Sequence, residues 1–259
     1  MSPDPVPFDA PALERGFGFF ETLLLVGRRA VLWAPHTRRL LTTLETLDLP
    51  SPSLEALDSA SRAALGGIAD DDEERALRVS WIAVGHDVDG PASWRLDASL
   101  RPIPPNTLSR RAGSRAVTVP ERFRRDSPGF KSTSYFGAVA ALRHARRSGG
   151  DEGLFTNGNL YVEGASTGLV AWNGGRLAGL GPGGLPSVTA LAFLEGAGER
   201  RGLKRGELLS GAILLGSLTT AVPLLSLDGV ECLRPPAMLR ACETFQGRLR
   251  TDTALLKRL

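Results

Sequence analysis

The run Pro102-Ile103-Pro104-Pro105-Asn106 constrains this 259-residue chain more than any other feature. Proline cannot donate to a β ladder and favours an extended backbone, so the run reads as a linker rather than the middle of an element. The length allows two modest hydrophobic cores, one on each side. The expected organisation is a smaller N-terminal α/β domain over residues 1–102, a linker over 103–112 and a larger C-terminal domain over 113–259.

Patterning is mixed on both sides. Residues 17–26 are apolar and rich in β-formers, and Gly27-Arg28-Arg29 reads as a hairpin turn into residues 30–33. Pro35 suits a helix start, with Leu40, Leu41, Leu44 and Leu47 recurring at helical spacing. A helix is expected over 54–65, stopped by Gly66-Gly67. Strands are expected over 76–84 and 94–102, joined by a Gly/Asp/Pro loop. Beyond the linker the same reading gives a strand at 116–119 and a helix over 135–147 closed by Gly149-Gly150. Asn157-Gly158 and Asn173-Gly174 signal hairpins, a helix begins near Ser187, strands follow at 212–215 and 222–227, and a helix runs from about 235. The fold class is therefore mixed, α+β or α/β.

Composition excludes several classes. Hydrophobic content of 42% and charged content of 23% are those of an ordinary globular chain. No run of about 18 apolar residues is present, so no membrane span is expected. The opening MSPDPVPFDAP lacks a basic patch followed by an apolar stretch, which favours a cytoplasmic protein. The net charge of +3 is spread along the chain, so no nucleic-acid partner is expected. Cys232 and Cys242 are expected to be reduced and structural. His36, His86 and His144 lack ligand spacing, so no metal is expected.

Three features carry chemistry. Lysine is scarce in this arginine-rich chain, and Lys131 follows the loop Asp126-Ser127-Pro128-Gly129-Phe130. A desolvated amine there loses its proton more readily and attacks carbonyls. Glu163 closes the apolar run Asn159-Leu160-Tyr161-Val162 beside Gly164, where a carboxylate can meet a cationic ligand. Ser187 to Thr189 open a helix after Gly181-Pro182-Gly183-Gly184, and free N–H groups there can hold phosphate. Taken singly, each has a plainer reading: a solvated lysine, a strand-end acid and a helix capped by serine.

Taken in order along the chain, the motifs resemble the class IV aminotransferase family. Phe130-Lys131-Ser132-Thr133-Ser134-Tyr135 is similar to its lysine motif. Residues 151–155 with Leu160-Tyr161-Val162-Glu163-Gly164-Ala165-Ser166-Thr167 resemble its "EG" strand. Gly184-Leu185-Pro186-Ser187-Val188-Thr189 resembles its phosphate loop. Arg15-Gly16-Phe17 with Phe20-Glu21-Thr22-Leu23 resembles a shortened opening motif, and His36-Thr37-Arg38-Arg39-Leu40 its "HxxRL" helix. Residues 217–223 with Leu227-Asp228-Gly229 resemble its last cofactor loop, so the likeness spans almost the whole chain.

That resemblance implies a two-domain pyridoxal 5'-phosphate (PLP) enzyme of fold type IV, the larger domain built on a barrel-like sheet, and a homodimer. It implies Lys131 as the Schiff-base and proton-shuttling lysine, Glu163 at the pyridine nitrogen and Arg39 on the phosphate. Val188, Thr189 and Ser217 complete the phosphate cup, Leu218 and Thr219 offer N–H groups to a substrate carboxylate, and Tyr135 meets the ring oxygen. Arg122 to Arg125 correspond to the arginines before the lysine, serving in domain contacts, in attraction of carboxylates or as a solvated loop. Gly168 stands where the family often has Asn, Ala190 where it has Arg, and Ser187 where it has Gly; the opening motif is reduced to Gly16-Phe17-Gly18-Phe19. These departures bear on substrate recognition. The implied reaction is that of 4-amino-4-deoxychorismate lyase, with an amino-acid aminotransferase (branched-chain or D-amino-acid type) as the alternative. A non-catalytic protein on a retired PLP scaffold is the reading from another class.

Overall fold

A computed structural model describes residues 10, 13, 15–85 and 93–259. His86 and most of the Gly/Asp/Pro loop lie outside the described residues, as does nearly all of the N-terminal decapeptide. Contacts divide the chain into two compact units. The first comprises residues up to Ile103, Phe130–Tyr135 and Thr253–Leu259; the second comprises Pro104–Gly129 and Phe136–Asp252.

Among the described residues the first unit is built on an antiparallel sheet. Its strands are β1 (Gly18–Val26), β2 (Arg29–Val31), β3 (Glu74–Ala83), β4 (Trp94–Pro102) and β14 (Leu256–Arg258), in the order β14-β2-β1-β3-β4. The helices are α1 (Trp33–Thr46) and α2 (Leu54–Leu65). Helix α1 begins two residues before Pro35, which therefore sits in its first turn, where a missing N–H costs no helical bond. Helix α2 matches the sequence expectation, with Ser53 Oγ accepting the Ala56 N–H and Gly66 following its last turn.

Strand β1 is covered on both sides, and side chains alternate along it. Phe19, Leu23 and Leu25 share one face and join Leu40, Leu44, Leu57, Leu65 and Leu77 in the core. Glu21 lies on that same face; Phe20 lies on the other. Of β1, strand β2 pairs with Leu25 and Val26 alone, so the beginning of β1 has a second edge to satisfy. Residues 131–133 pair there: the Phe20 N–H donates to Lys131 O at 3.0 Å and the Thr133 N–H to Gly18 O at 2.7 Å.

The second unit is a nine-stranded sheet with β10-β9-β8-β11-β12-β5-β6-β7 in line and β13 paired to β12. These strands are β5 (Ser114–Thr118), β6 (Glu152–Asn157), β7 (Leu160–Gly164), β8 (Gly168–Asn173), β9 (Arg176–Leu180), β10 (Glu199–Arg201), β11 (Ala212–Gly216), β12 (Thr220–Leu227) and β13 (Val230–Glu231). Tyr161 of β7 exchanges two backbone bonds with Leu203, just past β10, at 2.8 and 2.9 Å. The two ends of the sheet thus meet, giving the barrel-like closure that removes exposed edges.

Five helices belong to this unit: α3 (Pro105–Ser109), α4 (Phe136–Arg147), α5 (Val188–Leu194), α6 (Arg205–Ser210) and α7 (Pro236–Thr251). Pro104 is extended, but Pro105 opens α3 rather than prolonging the linker, since proline fits a first helical position. No helix among the described residues is long and apolar enough to cross a membrane.

Candidate active site

In the first unit Lys131 is held by its backbone. Its carbonyl accepts from Phe20, while Thr133 Oγ1 donates to Gly16 O at 2.7 Å. Gly16 has φ +65°, and a Cβ there would lie 2.9 Å from Ser134 Cα, so a larger residue would displace the lysine segment. Lys131 Nζ stands 4.6 Å from the centroid of Phe20 and 5.4 Å from that of Tyr135, and those two rings meet edge to face at 5.4 Å. Arg78 stacks on the same Phe20 ring at 3.7 Å. Burial, with Arg101 nearby, pushes its guanidinium below the ordinary arginine range.

On the core face Arg39 presents a two-bond edge to Glu21, Nε to Oε1 at 2.8 Å and Nη2 to Oε2 at 2.6 Å. His36 Nδ1 lies 2.7 Å from the same Oε2. Burial would raise the Glu21 carboxyl, but Arg39 and His36 outweigh it and hold the group at about 2. Burial, with Arg39 and Lys131 nearby, pushes His36 down against the pull of Glu21, so its neutral ring donates to an ionised carboxylate. Sequence reading gave Arg39 a role but none to Glu21; the signal available was a carboxylate inside an otherwise apolar strand.

In the second unit Glu163 is buried at the end of β7. Arg125 Nη2 donates to its Oε1, and the Leu185 N–H donates to Oε2 at 3.0 Å. Arg125 also donates to Pro128 O at 3.0 Å. Among the arginines before the lysine, Arg125 is thus the one that carries a partner for Glu163. Nothing in residues 122–125 taken alone marks Arg125 apart from its neighbours.

The phosphate-loop residues gather in the same unit. Ser187 caps α5, its Oγ accepting the Ala190 N–H at 3.3 Å, with Val188 and Thr189 buried in the first turn. A Cβ on Gly168 would lie 2.6 Å from Ser187 Cβ and 3.0 Å from Ala190 Cβ. Three of the four departures from the family pattern, Gly168, Ser187 and Ala190, therefore share one place. Ser217, Leu218 and Thr219 form the turn between β11 and β12. A Cβ on Gly216 would lie 2.6 Å from Thr219 Oγ1 and 3.5 Å from both Ser166 O and Thr167 Cγ2, so this turn packs against the loop after Glu163. Among the described residues no group of three His, Cys, Asp or Glu could hold a metal ion.

The family model for amino-transferases of class IV matches residues 18–227. The chain belongs to the class IV aminotransferase family. This class IV enzyme is similar to a bifunctional aminodeoxychorismate lyase / D-amino acid transaminase of Mycobacterium tuberculosis, 28% identical over 88% of each chain. Its fold is similar to that of a hypothetical aminotransferase from Mycobacterium tuberculosis bound to α-ketoglutarate and PMP, with 26% identity and TM-score 0.84. That match covers 97% of this chain and 96% of the other. A branched-chain aminotransferase from Thermoproteus uzoniensis with norvaline shares the fold at 21% identity and TM-score 0.84, over 98% of this chain and 94% of that one.

Class IV aminotransferases depend on PLP. The residues present fit that group. Lys131 stands on aromatic rings, Glu163 is a buried carboxylate held between a guanidinium and an N–H, and Thr219 Oγ1 is buried without a hydrogen-bond partner among the described residues.

Proposed function

We propose that this class IV enzyme is a 4-amino-4-deoxychorismate lyase, releasing 4-aminobenzoate and pyruvate. The observation that carries the reading is the cationic cluster on Phe20. Lys131 and Arg78 share its ring, Arg101 is close, and among the described residues Arg78 meets no carboxylate. A guanidinium half-withdrawn from water without an anion is costly and favours an anionic ligand. The lyase substrate carries two carboxylates, either of which can serve as the anion this cluster lacks.

In this reading Lys131 would hold the cofactor aldehyde and, once displaced by the substrate amine, take the α-proton at Nζ. PLP supplies the electron sink that makes that proton removable. Glu163 would face the pyridine nitrogen, and Tyr135 the ring oxygen. Arg39, the N–H groups of Val188 and Thr189, and the Thr189 and Ser217 hydroxyls would hold the phosphate. The family likeness supports a homodimer, and a cytoplasmic location accords with the reading.

A D-amino-acid transaminase is the second reading, favoured by the bifunctional name of the curated relative. The test is to load the protein with PLP and supply 4-amino-4-deoxychorismate, measuring pyruvate and 4-aminobenzoate. Parallel reactions with D- and L-amino acids and a keto-acid acceptor measure amino transfer. Stoichiometric pyruvate and 4-aminobenzoate, abolished in Lys131→Ala, support the lyase. Amino transfer without pyruvate release from aminodeoxychorismate replaces it with the transaminase.

A further inference from the structure

We propose that Arg111 is a positioning residue for the substrate carboxylate, orienting and polarising the Leu218–Thr219 peptide. Arg111 lies in the 3-10 turn Arg110–Ala112 near the start of the second unit. Its Nε and Nη2 both donate to Leu218 O, at 3.0 and 2.6 Å. Two charged donors on one neutral carbonyl, in a turn, is an unusual use of a guanidinium, which ordinarily forks onto a carboxylate or phosphate.

The consequence follows from peptide geometry. In a trans peptide the C=O and the following N–H point in opposite directions. Fixing Leu218 O on Arg111 therefore fixes the Thr219 N–H on the opposite side. Withdrawing electron density from the carbonyl oxygen also makes that N–H a stronger donor. Thr219 adds a buried hydroxyl that has no partner among the described residues and that a carboxylate oxygen would satisfy.

Arg111 acts from a rigid base. Its neighbour Arg110 donates to Glu152 Oε2 at 2.8 Å. Glu152 is fully buried and also takes the Gly153 and Ser166 N–H groups and the Ser166 hydroxyl. Successive arginines thus tie one turn to two loops, the one after Glu163 and the one carrying Leu218.

This inference rests on the reading that Leu218 and Thr219 receive the substrate carboxylate, and the test separates the two. PLP-loaded wild type, Arg111→Met and Arg111→Lys are titrated with each enantiomer of alanine and of alaninamide, following the cofactor absorbance. Wild type is expected to bind alanine more tightly than its amide. Arg111→Met is expected to weaken alanine by at least tenfold, leaving alaninamide affinity and the unliganded spectrum unchanged, with Arg111→Lys intermediate. Equal weakening of both ligands, or an undiminished preference for alanine, overturns the role of Arg111 while the carboxylate turn stands. Absence of any preference in wild type removes the carboxylate turn itself, and the proposal with it.

Discussion

Gly168 and Ser187 fill one space: a Cβ on the glycine would stand 2.6 Å from that of the serine. The backbone of Gly168 is outside the left-handed region, so room alone requires glycine there. Gly168→Ala should cost about 1–3 kcal/mol by overpacking, lowering the melting temperature by roughly 3–10 °C. Ser187→Gly forfeits a cap worth only a few tenths of a kcal/mol against glycine. The double variant should therefore recover most of the loss, and Gly168→Asn should be tolerated only beside Ser187→Gly. Additive melting shifts would show that the two positions are independent.

The Glu21–His36–Arg39 cluster makes stability depend on acid. The folded Glu21 carboxyl sits at about 2 against an ordinary 4.5, so the unfolded chain takes up the proton first. The stabilisation is complete above about 4.5 and is withdrawn as pH falls towards about 2. His36, also depressed, adds loss of the same sign as pH falls below 6.5. Glu21→Gln should flatten the acid limb of a denaturation curve and cost about 3–5 kcal/mol near neutrality, because it takes the buried carboxylate away from the Arg39 guanidinium. An unchanged acid limb would remove Glu21 as its source.

Cys232 and Cys242 are both buried free thiols. Burial pushes Cys232 up to about 11 and Cys242 up to about 12, so neither is a thiolate at neutral pH. Folded protein should leave an aromatic disulfide reagent unreacted over hours, and both thiols should react on unfolding in denaturant. Rapid titration of either in the native state would contradict the burial.

Local pattern carried much of the fold. The glycine pair after Leu65, the Asn-Gly turns and the serine at 187 each act within a few residues, and the elements they bound formed where expected. Ordered motifs pointed to the family because each is contiguous. What escaped was pairing at a distance. Nothing in Lys131–Thr133 announces an edge of β1 left open by a short β2, and nothing in Leu256–Arg258 announces pairing with that same β2. The partners of Arg39, Arg125 and Arg111 lie 18, 38 and 107 residues away. In an arginine-rich chain no local feature tells such an arginine from a solvated one.

Arg125 and Glu163 give the sharpest test of the second unit, because both side chains are buried and each supplies the other's counter-charge. Removing Arg125 alone takes the guanidinium away from a buried carboxylate that also accepts the Leu185 N–H. Arg125→Met should therefore cost about 3–5 kcal/mol in chemical denaturation. Glu163→Gln added to it removes the buried charge and should restore much of that loss, since burying a neutral amide is cheaper than burying an anion whose guanidinium has been removed. The two readouts then part company. Stability recovers in the double variant, whereas cofactor affinity stays low because the group assigned to the pyridine nitrogen has lost its charge. Recovery of both together would show that Glu163 serves only as the counter-ion of Arg125. Recovery of neither would show that Arg125 acts through its bond to Pro128 O, shaping the segment that leads to Lys131.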